Sequence, residues 1–377
     1  MIKTFPKGGI HPQENKLSAD KPIKDLPVPS SVWVAISQHI GAPAEPVVER
    51  GSKVKTGQVI AKSGGFVSAN IHSPISGSVA KIDKIIDSSG HMKTAVMIKN
   101  KGDEEWEEGI DLSENLIADF NLTSREIIEK ILAGGVVGLG GSTFPSHVKL
   151  SVPDGKKADY LLINGVECEP YLTADHRLML EKPQEILVGI RLLMKALDVE
   201  KAFIGIENNK PDAIALFKEI LSNQQNIEVV PLKVQYPQGG EKQLIKAVLN
   251  KEVPSGGLPI DVGAVVHNVG TTFAVYEAVQ KNKPLIERIV TVTGKSLAEP
   301  SNFRVRIGTS VQELIDAAGG IPEATGKIVS GGPMMGKALS KTDIPIAKGT
   351  SGILLIPDEQ AKRAESQVCI RCGKCVE

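Results

Sequence analysis

Three cysteines near the end of the chain, Cys369, Cys372 and Cys375, stand at C-x2-C-x2-C spacing. Thiolates so spaced let one tight loop wrap an iron–sulfur cubane and present successive sulfurs to different irons. The same three thiolates can serve zinc if a fourth ligand arrives from elsewhere. Gly373 and Lys374 favour the cluster, because a small and a basic residue suit a loop whose amides face sulfide. The fourth cysteine of the iron–sulfur run C-x2-C-x2-C-x3-C-P falls due beyond Glu377. The expectation is a cluster-binding segment cut short, holding a cluster poorly or not at all.

Two further clusters carry chemistry. Five glycines fall within residues 134–141, at Gly134, Gly135, Gly138, Gly140 and Gly141, ahead of Phe144-Pro145. Glycine admits positive φ and close backbone approach, so such a loop can aim N–H groups at a phosphate or a flavin ring. A purely structural turn explains the same composition. A dinucleotide fingerprint is excluded, because the segment before the glycines reads as helix rather than strand. Lys149, four residues beyond Pro145, can neutralise a phosphate, although exposed lysines are common. The second cluster is Asn164-Gly165-Val166-Glu167-Cys168-Glu169-Pro170, directly after an apolar strand at 160–163. Carboxylates at a strand's carboxyl end can accept from ribose hydroxyls, and an asparagine can meet a flavin's polar edge. The alternative is a solvated acidic turn. Asp175, His176 and Arg177 are expected to cap the next helix, with His176 structural.

Composition bounds the options. With 44 basic and 44 acidic residues, there is no electrostatic case for nucleic acid or a membrane surface. Aromatic content of 4% argues against a base-stacking surface. A length of 377 residues predicts two to three domains. Cys168 stands apart from the other three cysteines, so no disulfide framework is indicated, and thiol ligands fit a reducing compartment. Residues 1–20 lack the apolar core of a signal peptide, and no apolar run approaches the ~20 residues that span a bilayer. Any membrane link is expected through a partner.

The elements that must position these residues fall into blocks. Residues 1–30 read as an extended arm. Short β-type runs at 32–36, 46–48, 58–61, 78–82 and 95–98 predict a β-sandwich or barrel over 31–100. Its V-x-x-G-x-x-V-x-x-G-x-x-I phrase resembles biotinyl/lipoyl-type domains. The equivalent of their modified hairpin tip, 66–71, has no lysine, so a scaffold is expected. The charged stretch 101–109 reads as a solvated linker. From 120 to 285 helix and strand patterns alternate, beginning with a capping box at Thr123 and Glu126, which predicts a Rossmann-like parallel α/β sheet. Residues 286–357 read as a β-grasp-sized α+β unit, and 358–377 as a helical linker into the cysteines.

Taken together, Gly-x-Gly-Gly-x-x-Phe-Pro-x-x-x-Lys at 138–149 and Asn-x-x-Glu-x-Glu-Pro at 164–170 resemble the flavin- and NADH-binding subunit of complex I. Gly239-Gly240-Glu241 resembles that family's Gly-Glu-Glu loop, and Asn268-Val269-Gly270-Thr271 its Asn-Asn-Val-Glu-Thr segment. The stretch Phe5-Pro6-Lys7-Gly8-Gly9-Ile10-His11-Pro12, the sandwich, Gly331-Gly332-Pro333-Met334-Met335-Gly336 and the cysteine run narrow the match. Over essentially its whole length the chain resembles the RnfC family, the C subunits of Rnf ion-translocating complexes. The resemblance implies a multidomain protein: a biotinyl/lipoyl-like β-sandwich, an α/β FMN/NADH domain, an SLBB β-grasp domain, and the start of a truncated ferredoxin-type 4Fe-4S domain. It implies FMN and NADH as cofactors, with two 4Fe-4S clusters in the full-length protein on ligands that include Cys369, Cys372 and Cys375.

Carried over by position, Gly138, Gly140 and Gly141 line the FMN, Lys149 lies near its phosphate or ring oxygens, and Asn164 touches it. Phe144 stacks on the NADH adenine, and Glu167 and Glu169 lie near the nicotinamide nucleotide. Gly240, Glu241, Asn268 and Thr271 complete the pocket. The chain departs from the complex I pattern at Leu139, Val166 and Lys242, where that family has Arg, Asp and Glu. The implied activity is hydride transfer from NADH to FMN without a protein acid or base, then single electrons to the clusters. The implied complex exchanges electrons with ferredoxin or flavodoxin and moves Na⁺ or H⁺. This chain would be peripheral, on the cytoplasmic face of the bacterial inner membrane, held there by other subunits. Two related families share parts of the pattern: a microcompartment cobalamin reductase, and the scaffold protein NqrA, against which the cysteines and intact loops argue.

Overall fold

A computed structural model describes residues 2–362 and 368–372. The N-terminal part holds β1 (Ile23–Asp25), β2 (Ser31–Ala35), β3 (Glu45–Pro46), β4 (Lys53–Val54), β5 (Val59–Lys62), β6 (Ile71–His72), β7 (Gly77–Ile86) and β8 (Met92–Lys99). Two sheets, ordered β2-β8-β7-β4 and β3-β5-β6, enclose Val32, Val34, Ile60, Ile71, Ile75, Val79, Val96 and Ile98. Alternation drives this: in β2, Val32 and Val34 point into the core while Ser31 and Trp33 are half-buried.

The central unit contains α1 (Ser124–Ala133), α2 (Ser146–Leu150), β9 (Tyr160–Asn164), α3 (Ala174–Glu181), α4 (Pro183–Leu197), β10 (Lys201–Glu207), α5 (Pro211–Ile220), β11 (Ile227–Leu232), α6 (Glu241–Leu249), β12 (Ala264–Asn268) and α7 (Val269–Gln280). Its four strands are all parallel, in the order β11-β10-β9-β12. Both faces are covered. Leu161, Ile163, Ile204 and Val265 pack under α1, α4 and α7, while Leu162, Val166, Val230 and Val266 meet Leu244, Ile245 and Val248 of α6. Burial on both faces is why these strands read as continuous apolar runs. The capping box forms: Thr123 Oγ1 accepts from Glu126 N, and Glu126 Oε2 accepts from Thr123 N at 2.7 Å.

The third unit is built from β13 (Glu287–Thr293), β14 (Ser301–Arg306), α8 (Val311–Ala317), β15 (Thr325–Ser330), β16 (Lys337–Ala338), β17 (Gly352–Pro357) and the four-residue α9 (Asp358–Ala361). Its mixed sheet runs β1-β14-β13-β17-β15-β16, with α8 packed on Val290, Phe303 and Ile353.

Two segments differ from expectation. The arm is not merely extended: it pairs Lys3 with Leu232, pairs Ile10 with Tyr236, and ends as the edge strand β1 on β14. The charged stretch 101–109 is exposed but pinned at both sides. Glu107 N donates to Thr56 O, Glu104 pairs with Arg306 at 3.0 Å, and the Arg306 guanidinium lies over Trp106. A charged sequence cannot reveal that its carboxylates have distant partners.

Candidate functional site

The chain leaves β9, adds β10 and β11 on one side, then returns to the other side of β9 as β12. Strand order therefore reverses between β9 and β12, and such a switch point opens a crevice at the strands' carboxyl ends. The last residues of the two strands, Asn164 and Asn268, are register partners there.

The glycine loop closes over this point by its own backbone. Gly138 N donates to Phe144 O at 2.9 Å, and Thr143 N donates to Gly138 O at 3.1 Å. Leu139 N donates to the buried Thr271 Oγ1 at 2.8 Å. A Cβ on Gly140 would stand 3.3 Å from Asn268 Cβ, whereas one on Gly141, at φ +104°, would meet nothing within 4 Å. The loop thus leans on α7 at Gly140 and opens at Gly141. Phe144 is half-buried where the loop closes.

Asn268 caps α7: its Oδ1 accepts from Gly270 N at 2.9 Å and Thr271 N at 3.2 Å, and its Nδ2 donates to Asp175 Oδ2 at 2.7 Å. Asn164 Nδ2 donates to Gly239 O at 2.8 Å, drawing in the loop before α6. Gly240 is the N-cap of α6 and carries no side-chain cap. Glu241, the first residue of that helix, pairs with Lys149 at 2.5 Å across a partly exposed gap. Beneath them His267 is buried with Nε2 unpartnered; burial, then the Lys149 charge, pull it down to about 3, so it is neutral. The structure thus brings Gly138, Gly140, Gly141, Asn268 and Thr271 together on one side of the switch point, and Lys149, Asn164, Gly240 and Glu241 on the other.

The acidic loop has both carboxylates occupied. Glu167, itself at φ 47°, accepts from Asp175 N at 2.8 Å and His176 N at 3.1 Å. Glu167 therefore caps α3, correcting the expectation that Asp175, His176 and Arg177 do so; these lie in the helix's first turn. His176 is buried and paired with Asp212 at 2.8 Å, a structural role. Glu169 accepts from Met334 N at 3.1 Å and Met335 N at 2.8 Å, so the Gly331–Gly336 stretch of the third unit docks on it. Burial raises Glu169 above the usual carboxylate range, while these two N–H groups oppose the shift. Cys168 is half-buried, and burial pushes its thiol up to about 11.

Sequence reasoning gave no place at the site to three charged groups, Asp175, Arg288 and Lys16. Burial, then the charge of Glu167, push Asp175 up to about 7. Asp175 lines a small hollow with Leu139, Gly270 and the buried Arg288. Lys16, from the arm, reaches the carbonyls of the acidic loop. Asp175, Arg288 and Lys16 lie far apart in the chain and share no periodic signal; only the fold makes them neighbours of the site. A cavity of about 450 Å³, lined by Trp106, Tyr276, Lys281 and Arg306 among others, shares no residue with these loops. Cys369 and Cys372 are free and exposed, and Cys375 lies outside the described residues. Among the described residues no group of three or more His, Cys, Asp or Glu is placed to hold a metal ion.

Comparison with known proteins matches this architecture part by part. Family models match residues 131–277 as a Nuo51 FMN-binding domain, residues 3–103 as an RnfC barrel sandwich hybrid domain, and residues 289–338 as an SLBB domain. The NAD⁺-reducing NiFe hydrogenase in its H₂-reduced state shares the fold, with a TM-score of 0.52 and 22% identity over 63% of this chain and 47% of that one. The molecule is thus a multidomain protein built around an FMN-binding domain of the Nuo51 type.

Longer relatives narrow this further. The C subunit of the proton-translocating ferredoxin:NAD(+) oxidoreductase complex of Clostridium ljungdahlii is 48% identical over all of this chain and 81% of its own length. The Na(+)-translocating counterpart of Acetobacterium woodii is 44% identical over 98% of this chain and 83% of its own. The C subunit of the ion-translocating oxidoreductase complex of Rhodobacter capsulatus is 42% identical, over 98% and 72%. The chain belongs to the RnfC family, the C subunits of ion-translocating oxidoreductase complexes.

Proposed function

We propose that this chain is the NADH-oxidising, FMN-binding subunit of an ion-translocating ferredoxin:NAD⁺ oxidoreductase. The observation that carries the reading is the switch point, where Asn164 and Asn268 end paired strands beneath the glycine loop. FMN fits the residues there. The loop presents backbone without Cβ at Gly140 and Gly141, an uncapped helix begins at Gly240, and Lys149 supplies a cation for phosphate. Gly138, Gly140, Gly141, Asn164 and Lys149 would hold the cofactor, with Gly240, Glu241, Asn268 and Thr271 completing the pocket. FMN, when bound, supplies the exchange between two-electron hydride chemistry and single-electron transfer.

The protein's part is positional. Thr271 fixes the glycine loop through Leu139 N, and Asn268 fixes α7 beneath it. Phe144 offers a ring for the NADH adenine. Glu167 and Glu169 shape the loop beside the nicotinamide half through the N–H groups they accept from, rather than by reaching for the ligand. Cys369, Cys372 and Cys375 would be among the residues that hold 4Fe-4S clusters, which would supply single-electron chemistry, and ferredoxin or flavodoxin would be the partner reached through the other subunits. No helix among the described residues is long and apolar enough to cross a membrane. In our reading the chain is held at the cytoplasmic face by the other subunits.

The test is to load the chain with FMN, remove the excess, and titrate with NADH without oxygen while following flavin absorbance. Bleaching that saturates at about one NADH per flavin is expected. A folded chain that binds no FMN would overturn the reading.

A further inference from the structure

The acidic loop takes its shape from a side chain outside the central unit. Lys16 Nζ donates to Glu167 O at 2.8 Å, Glu169 O at 2.9 Å and Leu172 O at 2.7 Å. An ammonium has three donors, and all three are used within one turn of chain. A second ammonium, Lys210 Nζ, takes Val166 O at 2.8 Å. With these carbonyls drawn inward, Glu167 and Tyr171 adopt φ of 47° and 69°, a region non-glycine residues hold only when their surroundings over-determine it.

The rest of the arm keeps Lys16 in register. Tyr171 N donates to Glu14 O at 2.8 Å, and Ser18 Oγ lies 2.7 Å from Thr173 Oγ1. Further back, Ile10 and Tyr236 exchange backbone bonds at 2.8 Å each. The arm therefore grips the loop after β9 and the loop after β11, both at the carboxyl end of the parallel sheet. The first of these loops follows Asn164 and carries Glu167, and the second carries Gly240.

We propose that Lys16 is a positioning residue of the dinucleotide site: its ammonium fixes the acidic loop in the form that receives the nicotinamide nucleotide, which makes the N-terminal arm part of that site. This rests on the function proposed above. Burial, then the charge of Lys210, pull the Lys16 ammonium down to about 8 against the opposing charges of Glu167 and Glu207, so it remains mostly protonated at neutral pH.

Lys16→Met keeps the bulk and removes the donors. Hydrogen exchange on the full chain without added cofactor should show amides of 165–173 exchanging about tenfold faster or more, with α4 unchanged. Unchanged exchange at 165–173 overturns the proposal. If K16M also loses protection in α4, K16R replaces it: loop protection within about threefold of wild type supports the proposal, and loop exchange as fast as in K16M overturns it. In FMN-loaded protein, K16M should raise KM for NADH by about fivefold or more with kcat within about twofold. An unchanged KM alongside a normally reduced wild type defeats the positioning role alone. A wild type that NADH does not reduce defeats the proposed function and leaves the exchange result to judge the loop.

Discussion

Two loops meet at the carboxyl ends of β9 and β12, and they are held in different ways. The glycine loop is closed by bonds between Gly138 and the Thr143–Phe144 backbone and rests on Thr271 and Asn268 of the same unit. The acidic loop is held by Lys16 of the arm, by Met334 and Met335 of the third unit, and by Lys210. The first is a local structure that needs glycine; the second is an assembled one that needs the rest of the molecule. A change in the glycine loop should therefore cost ligand and spare the fold. A change in the acidic loop should cost both.

The largest effect should come from Gly140→Val. Its side chain would press on Asn268, where even a Cβ stands at 3.3 Å. FMN affinity should fall by about a hundredfold or more, which is about 2.7 kcal/mol, with melting temperature nearly unchanged. Flavin fluorescence quenching and a thermal melt read both quantities, and full flavin uptake by G140V would remove the loop from the site.

Glu169→Ala tests the other loop. It leaves the Met334 and Met335 N–H groups without their acceptor, a loss of about 1–3 kcal/mol, and loosens the third unit against the acidic loop. Denaturant unfolding should show the loss. A stability equal to wild type would mean that the contact with the third unit does not hold the loop.

The smallest effect, Asp175→Asn, sharpens the comparison where the loops meet. Asp175 sits above its ordinary value in the folded chain, so between the usual carboxylate range and about pH 7 the folded state binds more protons than the unfolded one. Its contribution to stability is present at acid pH and is lost as pH rises to about 7. Wild type should lose more melting temperature than D175N between about pH 5 and about pH 8. Equal losses would show that Asp175 does not carry this titration.

The glycine loop was readable because its chemistry is local: clustered glycines, Phe144 and Lys149 are adjacent in the chain. Asn164 was readable because a polar residue ended an apolar strand. The partners of Glu167 and Glu169 were not readable. The resemblance implies a place near the nucleotide for both, and in the fold each carboxylate also accepts from backbone N–H groups, one pair eight and nine residues on, the other pair in a different unit. Lys348 makes the same point. Its buried ammonium, pulled down to about 7 by burial, bridges Asn70 O of the sandwich and Gly135 O of the central unit at 2.9 and 2.7 Å. Nothing in the residues around it announces a junction of three units.

By itself the sequence determined the strand and helix periods, the capping box at Thr123, the glycine and asparagine positions of the crevice, and the cysteine spacing. These depend on side-chain types within a few residues of one another, where alternation, backbone freedom and ligand geometry act directly. The tertiary structure alone decided which carbonyls Lys16 gathers, which N–H groups occupy Glu169, and how far Asp175 is shifted. Burial and charge act through space, and the Lys16 and Glu169 contacts join residues that the chain holds more than a hundred positions apart.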